Sequence, residues 1–252
     1  MIPGGGVQEH ALGGVVGRRL GSLGITATAD LDAFWNLVRV RGGIERDQAI
    51  VGRTSPVEHF VVLLEGVACF SSQHEDGRRQ IHALRYPGDF FGLDGFLSPR
   101  SAERSEVQAL TRCSIGTIAR DALEQAMQRH PAIGRALWRA ALTEVSVFRQ
   151  RQVVSRLPEL QRIAHFLCEQ LARLEIDEGV IPLTQIDVAD AAGLSVAHAN
   201  RIFQELRQLD VLSKQPLIEV VNKGHLHKLA AFDARYLDLG ESLSRWGLRI
   251  DD

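Results

Sequence analysis

The stretch Leu183-Thr-Gln-Ile-Asp-Val-Ala-Asp-Ala-Ala-Gly-Leu-Ser-Val-Ala-His-Ala-Asn-Arg-Ile-Phe203 holds two helix starts, one helix stop and two apolar stripes in one short segment. Thr184 is placed to cap a helix, and Asp187 three residues on completes a variant of the capping box. Val188 and Ala192 fall on the inward face. Gly193 stands where the helix must end in a left-handed residue. Leu194 plugs the corner. Ser195 then caps a second helix whose apolar face is Ala199, Ile202 and Leu206. Ala189 is the small residue required where two helices approach closely. The spacing predicts a tight helix-turn-helix, in which the start of the second helix projects into the DNA major groove. An ordinary helical hairpin would need the caps but not the glycine, the small residue and both stripes together.

Ser195, Val196, Ala197, Asn200, Arg201 and Gln204 lie opposite that apolar stripe. The fork of Arg201 matches the two acceptors of guanine, Asn200 can pair with adenine, and Val196 or Ala197 can touch a thymine methyl. Thr184 and Ser195 sit at helix starts, where hydroxyls and backbone N–H groups suit phosphate. Leu212 to Val221 reads as two short strands around Lys214-Gln215-Pro216. That is a wing, with Lys214 in reach of a phosphate.

Upstream, Pro131 to Ser155 contains no further proline. Ile133, Leu137, Ala141, Val145 and Phe148 recur at helical spacing. A helix of about 25 residues is about 37 Å long, more than one domain of this size covers, so a second subunit is the expected partner for this stripe. Pro158 restarts the chain, and Leu160, Ile163, Ala164, Leu167 and Leu171 form the next apolar face. Glu175 to Gly179 reads as a polar connector. Further upstream, from about Ile50 to Ile118, short apolar runs alternate with turn signals at Glu65-Gly66, Asp76-Gly77 and Tyr86-Pro-Gly-Asp89. Such spacing suggests an antiparallel sandwich or jelly-roll. The glycine-rich start is read as a flexible tail.

Composition narrows the classes. The chain has 252 residues, 45% hydrophobic, with a formal net charge of -2. No apolar run approaches the ~18 residues of a membrane helix, and the expected compartment is the cytoplasm. Overall charge does not point to nucleic acid, but Arg129 to Arg173 carries eight arginines against three glutamates, a local field able to steer a polyanion. Cys69, Cys113 and Cys168 are far apart and read as packing residues. No glycine-rich phosphate loop or Gly-x-Ser-x-Gly elbow is present. A cupin-like metal-dependent enzyme is one alternative. However, the β region holds no His-x-His pair, and His225 and His227, beyond the wing, read as solvated. A dimeric sensor scaffold that does not bind DNA is the other. Neither an enzyme nor a cofactor is expected.

The order of these parts resembles the Crp/Fnr family of bacterial transcription regulators over roughly residues 45–235. The motifs that carry the likeness are Leu64-Glu-Gly66, Glu75-Asp-Gly-Arg-Arg-Gln80, Pro87-Gly-Asp-Phe-Phe-Gly92 and Asp187 to Ser195 with His198-Ala-Asn-Arg201. The resemblance implies an α+β fold: an N-terminal antiparallel β-roll, jelly-roll-like, then a long dimerisation helix and a C-terminal winged helix-turn-helix. The expected divisions are a tail (1–25), the roll (26–129), the dimer helix (130–156), the DNA-binding domain (157–235) and a C-terminal tail (236–252). It further implies a homodimer on a palindromic operator of double-stranded DNA, in contact with RNA polymerase.

The departures from the family pattern bear on the effector. Cyclic-AMP-binding members carry Gly-Glu-Leu after the Pro-Gly-Asp turn, then an Arg-Ser pair for the phosphate. Here the first reads Gly92-Leu93-Asp94, and Arg104-Ser105 is displaced by about one position, which turns side chains to the other face of a strand. Where those members place a Thr-Ser pair on the long helix, this chain has Phe148-Arg149. These six residues, Leu93, Asp94, Arg104, Ser105, Phe148 and Arg149, mark the candidate effector pocket; cyclic AMP is not the expected effector, and the roll is left to bind another small molecule, to sense redox state, or to bind nothing. The cysteine cluster of the oxygen-sensing branch is lacking. His59, His74 and His82, the candidates for a haem ligand, read as ordinary strand histidines. In the recognition helix Val196 and Ala197 replace the Arg-Glu pair of the cyclic-AMP receptor, which leaves the polar readout to His198, Asn200 and Arg201.

Overall fold

Strands β1 (Arg39–Ile44), β2 (Ala49–Val51), β3 (His59–Glu65), β4 (Ala68–Gln73), β5 (Arg79–Arg85), β6 (Phe90–Phe91), β7 (Glu106–Ala109) and β8 (Cys113–Ala119) form two four-stranded sheets, ordered β1-β8-β3-β6 and β2-β7-β4-β5. The computed structural model describes residues 14–51, 59–93, 96 and 106–238. The pairings resolved in register are antiparallel. Phe60 to Leu64 of β3 are all buried, as a central strand covered on both faces requires. Gly66 turns the chain at φ +88°, and a Cβ there would collide with the Arg112 carbonyl and the Cys113 sulfur. The Tyr86–Asp89 turn is closed by the Tyr86 N–H donating to Asp89 Oδ2 at 3.0 Å and the Gly88 N–H donating to the Leu63 carbonyl at 2.8 Å.

The described residues divide into two compact units. The first takes residues up to Cys69, Leu84–Val145 and Asp238, and the second takes Phe70–Ala83 and Ser146–Leu237. In the first unit the described part of the expected N-terminal tail is folded, residues 1–13 of that expectation lying outside the described residues. Val15–Ser22 forms helix α1 and Thr28–Trp35 forms α2. Val16, Leu20, Leu23 and Ile25 are buried in one core with Phe34, Phe60 and Phe90. An i, i+4 apolar pair overrides the intervening glycines once a β-sheet face is there to receive it. Strand β1 was also unanticipated. Five of its six residues are exposed, because it lies at a sheet edge and has no apolar face to display.

Helix α3 (Arg120–Arg129) leads through His130, whose Nδ1 lies 2.8 Å from Asp30 Oδ1, into the long helix α4 (Pro131–Val154). Its 24 residues span about 36 Å. The apolar stripe expected on α4 is split. Ile133 and Leu137 are fully buried in the core of their own chain, and Ala141 packs against that core. The exposed stripe consists of Trp138, Leu142, Val145, Phe148 and Val153. The cause is geometric: the first turns of α4 already serve as a wall of the roll, so only the neighbouring face remains open. The helix is fixed there by Arg85, which is buried and ion-paired with Glu144. Arg139 grips Asp238 through two hydrogen bonds, one of 2.6 Å. Asp238, expected in the C-terminal tail, is thereby tied down.

The second unit is built around α5 (Glu159–Leu174), buried continuously from Ile163 to Ala172. Around it lie β9 (Gly179–Ile181), α6 (Gln185–Ala192), α7 (Val196–Gln208), β10 (Ile218–Val220) and α8 (Lys223–Ala230), followed by a 3₁₀ turn at Ala234–Leu237. The wing differs from expectation. Leu212 makes only a single bridge with Val220, and β10 pairs with β9, whose Gly179 was assigned to a connector. His227, expected to be solvated, stacks edge-on against Phe232 at 5.4 Å, and burial holds its pKa below the usual histidine range. All three cysteines are buried, and burial pushes the thiols of Cys113 and Cys168 up.

Candidate nucleic-acid interface

The helix-turn-helix assembles from local signals. The Thr184 hydroxyl accepts from the Asp187 N–H at 3.1 Å, and Asp187 Oδ2 accepts from the Thr184 N–H at 2.9 Å. Both halves of the capping box are therefore present. Gly193 ends α6 at φ +65°, ψ 38°, the left-handed conformation that a side chain would strain. The Ser195 hydroxyl accepts from the His198 N–H at 3.2 Å and starts α7. Val188, Ala189, Ala199, Ile202, Phe203 and Leu206 are buried between the elements. Ala192, expected to face inward, is only partly covered.

This packing fixes the outward face of α7. Ser195, Val196, Ala197, His198, Asn200, Arg201 and Gln204 are all exposed. Lys214 is exposed at the turn before β10. Thr184 differs from the others: its hydroxyl also contacts Asp187 Oδ2 at 2.7 Å, so its donor and acceptor capacity is engaged in the cap rather than held open for a phosphate.

Two acidic contacts had escaped the sequence reading. Glu159, at the first turn of α5, lies 3.3 Å from Arg201 and 3.6 Å from His198. It occupies the guanidinium in the free chain, although both groups are solvent-accessible and the pair is weak. Arg79, in the β4–β5 hairpin, makes 2.7 Å ion pairs with Asp187 and with Asp190. Burial works against the charge of Arg79, but the two carboxylates outweigh it and hold its pKa above the ordinary value. Asp187 is fully buried, so it depends on this partner and on the cap. The hairpin pair Arg78-Arg79 was legible as a motif, but its target, 108 residues away, was not.

Of the six candidate effector residues, three are described. Leu93 is buried in the core with Phe60, Phe90 and Phe96, and so contributes no polar group to a pocket. Phe148 and Arg149 are exposed on α4. Asp94, Arg104 and Ser105 lie outside the described residues. His59, His74 and His82 are exposed strand or hairpin residues, with His82 2.8 Å from the Ser72 hydroxyl.

Comparison with known proteins agrees with this geometry. Residues 43–130 match the cyclic nucleotide-binding domain and residues 161–229 the Crp-like helix-turn-helix domain. Among curated relatives, the nitrogen fixation regulation protein FixK of Azorhizobium caulinodans is 25% identical over 175 residues, covering 67% of this chain and 69% of that protein. The transcriptional activator protein FnrL of Cereibacter sphaeroides is 26% identical over 189 residues, covering 71% and 72%. Among solved structures, FixK2 from Bradyrhizobium japonicum superposes with a TM-score of 0.66 at 26% identity, covering 76% of this chain and 96% of that one. The two matched domains, their order and the geometry of the helix-turn-helix place this chain in the Crp/Fnr family of transcription regulators.

Proposed function

We propose that the chain acts as a homodimer, joined through the exposed stripe of α4, that reads a palindromic operator with α7 in the major groove. The observation that carries the reading is the outward face of α7, an exposed and largely polar row that begins at a capped helix start. Arg201 reads guanine, Asn200 and His198 add polar contacts, and Val196 and Ala197 meet thymine methyls. Gln204 lies one turn further along the same face. Ser195 and Lys214 hold phosphates and set the register. Contact with RNA polymerase belongs to the same reading and is supported by the family resemblance. Cyclic AMP is not the effector in this reading, because Leu93 lies in the core and can accept no hydrogen bond from a ribose hydroxyl.

The test is binding to a selected operator and to scrambled DNA at two salt concentrations. Arg201→Ala should cost about 1–3 kcal/mol per half-site on the operator and far less on scrambled DNA. Lys214→Ala should weaken both alike and reduce the salt slope by about one per wing. Equal losses on both DNAs for Arg201→Ala would make that residue a phosphate clamp and remove the base-reading assignment.

A further inference from the structure

Within the second unit, the end of α4, the body of α5 and the end of α6 enclose a cavity of about 90 Å³. Its polar lining comes from Arg151, Arg162, His165 and Glu169, and its apolar wall includes Phe166 and Ala192. Two buried guanidinium donors on this lining, Arg151 Nη2 and Arg162 Nε, have no hydrogen-bond partner; Glu169 Oε1, also without one, lies 3.6 Å from Arg151 Nη2. A buried polar group left unpaired is unfavourable, and native structures normally fill such places with a water or an ion.

The charge balance says which. Glu169 is already offset, with Arg151 at 3.6 Å and Arg173 at 3.8 Å, and its other oxygen accepts from the Tyr236 hydroxyl at 2.8 Å. Arg162 has no carboxylate within ion-pair distance among the described residues; its Nη1 donates only to the Ser155 carbonyl at 3.3 Å. Burial holds the His165 pKa below the usual range although Glu169 pulls the other way, so the ring adds no positive charge near neutral pH. The two arginines on the lining, Arg151 and Arg162, therefore exceed its one carboxylate, Glu169. Water can bond to these atoms but cannot neutralise them, whereas guanidinium groups bind planar or tetrahedral oxyanions through paired N–H donors.

We infer that this cavity is a binding site for a small oxyanion, a carboxylate or a phosphate, bridging Arg151 on α4 and Arg162 on α5. None of its lining residues is among the DNA-facing residues of α7 or the six candidate effector residues. Its floor at Ala191 and Ala192 immediately precedes Gly193, so occupancy braces the turn that aims α7.

The experiment uses the full chain without DNA, which separates it from the outcome of the operator test. Inorganic phosphate and acetate are titrated calorimetrically at constant ionic strength, balanced with chloride. The expected result is saturable binding of at least one probe at one per chain. Phosphate alone identifies a tetrahedral ligand, acetate alone a carboxylate, and either supports the site. Arg162→Gln should weaken the bound probe at least tenfold, Arg162→Lys less, and Arg156→Gln, an exposed arginine on the neighbouring loop, should leave it unchanged. Circular dichroism checks that each variant is folded. The site is overturned if neither probe saturates, or if Arg156→Gln and Arg162→Gln weaken binding equally, which would mean diffuse attraction to a basic region.

Discussion

On α4 the exposed face carries Trp138, Leu142, Val145, Phe148 and Val153, whereas on α7 it carries His198, Asn200, Arg201 and Gln204 beside Val196 and Ala197. Both faces are open in the single chain, but water treats them differently. The polar row of α7 is solvated at little cost until DNA displaces that water. The stripe of α4 remains unfavourable until another apolar surface covers it. Exposure alone says that a partner is missing, and the chemistry of the exposed groups says which kind. On α7 the proposed partner is a ladder of base edges and phosphates. On α4 it is a second protein surface, in the proposed dimer the same stripe of another copy.

The largest expected effect breaks the α4 side of this contrast. Leu142→Asp should remove a buried leucine from each protomer, roughly 3–6 kcal/mol per dimer, or two to four orders of magnitude in the dimer dissociation constant. Sedimentation equilibrium reads it directly, and an unchanged dimer would show that the stripe has some other partner. Operator affinity should fall with it, since each half-site alone is too weak.

Next comes the covered half of the same helix. Leu137 is fully buried within its own chain, so Leu137→Ala should lower unfolding stability by about 2–5 kcal/mol while leaving dimer dissociation essentially unchanged below the unfolding transition. Urea melts together with sedimentation separate the two. If Leu137→Ala loosened the dimer as much as Leu142→Asp, the division of α4 into an inward and an outward face would be wrong.

Smaller effects sharpen the α7 side. Thr184→Ala deletes the capping box and should cost about 0.5–2 kcal/mol of stability. It should weaken operator and scrambled DNA in equal proportion, through the scaffold rather than through a lost phosphate contact. Finally, Glu159→Gln frees Arg201 from its acidic neighbour. An exposed pair is worth about 0.2–1 kcal/mol, so operator affinity should rise by no more than about fivefold per half-site. A fall in affinity would show that Glu159 orients Arg201 instead of competing for it.

What could be read from the residues follows the range of the forces involved. The caps at Thr184 and Ser195 and the stop at Gly193 were legible because each acts within one helical turn. The strands from His59 to Ala119 were legible because turns punctuate them. Strand β1 was not: Arg39 to Gly43 has no apolar alternation, and only its pairing with β8 makes it a strand. Helix α1 was masked by glycines, since its helicity rests on core contacts with residues far along the chain. The face division on α4 and the partners of Arg79, Arg201 and Arg162 were also invisible. Spacing determines which side chains share a face, but which face is covered depends on everything else that folds against it.

One consequence concerns how loss of function would be mapped by genetics. Arg79 sits in a β-hairpin outside the recognition helix, yet it ion-pairs with two aspartates of α6, Asp187 and Asp190. A screen for regulators that no longer act at their promoter should therefore return hairpin alleles at Arg79 alongside those in the recognition helix. A charge-reversing allele such as Arg79→Glu should be rescued in part by the double exchange with Asp190→Arg. Such a pair of alleles, each defective and together restored, would trace the connection between hairpin and helix in living cells without any structural measurement.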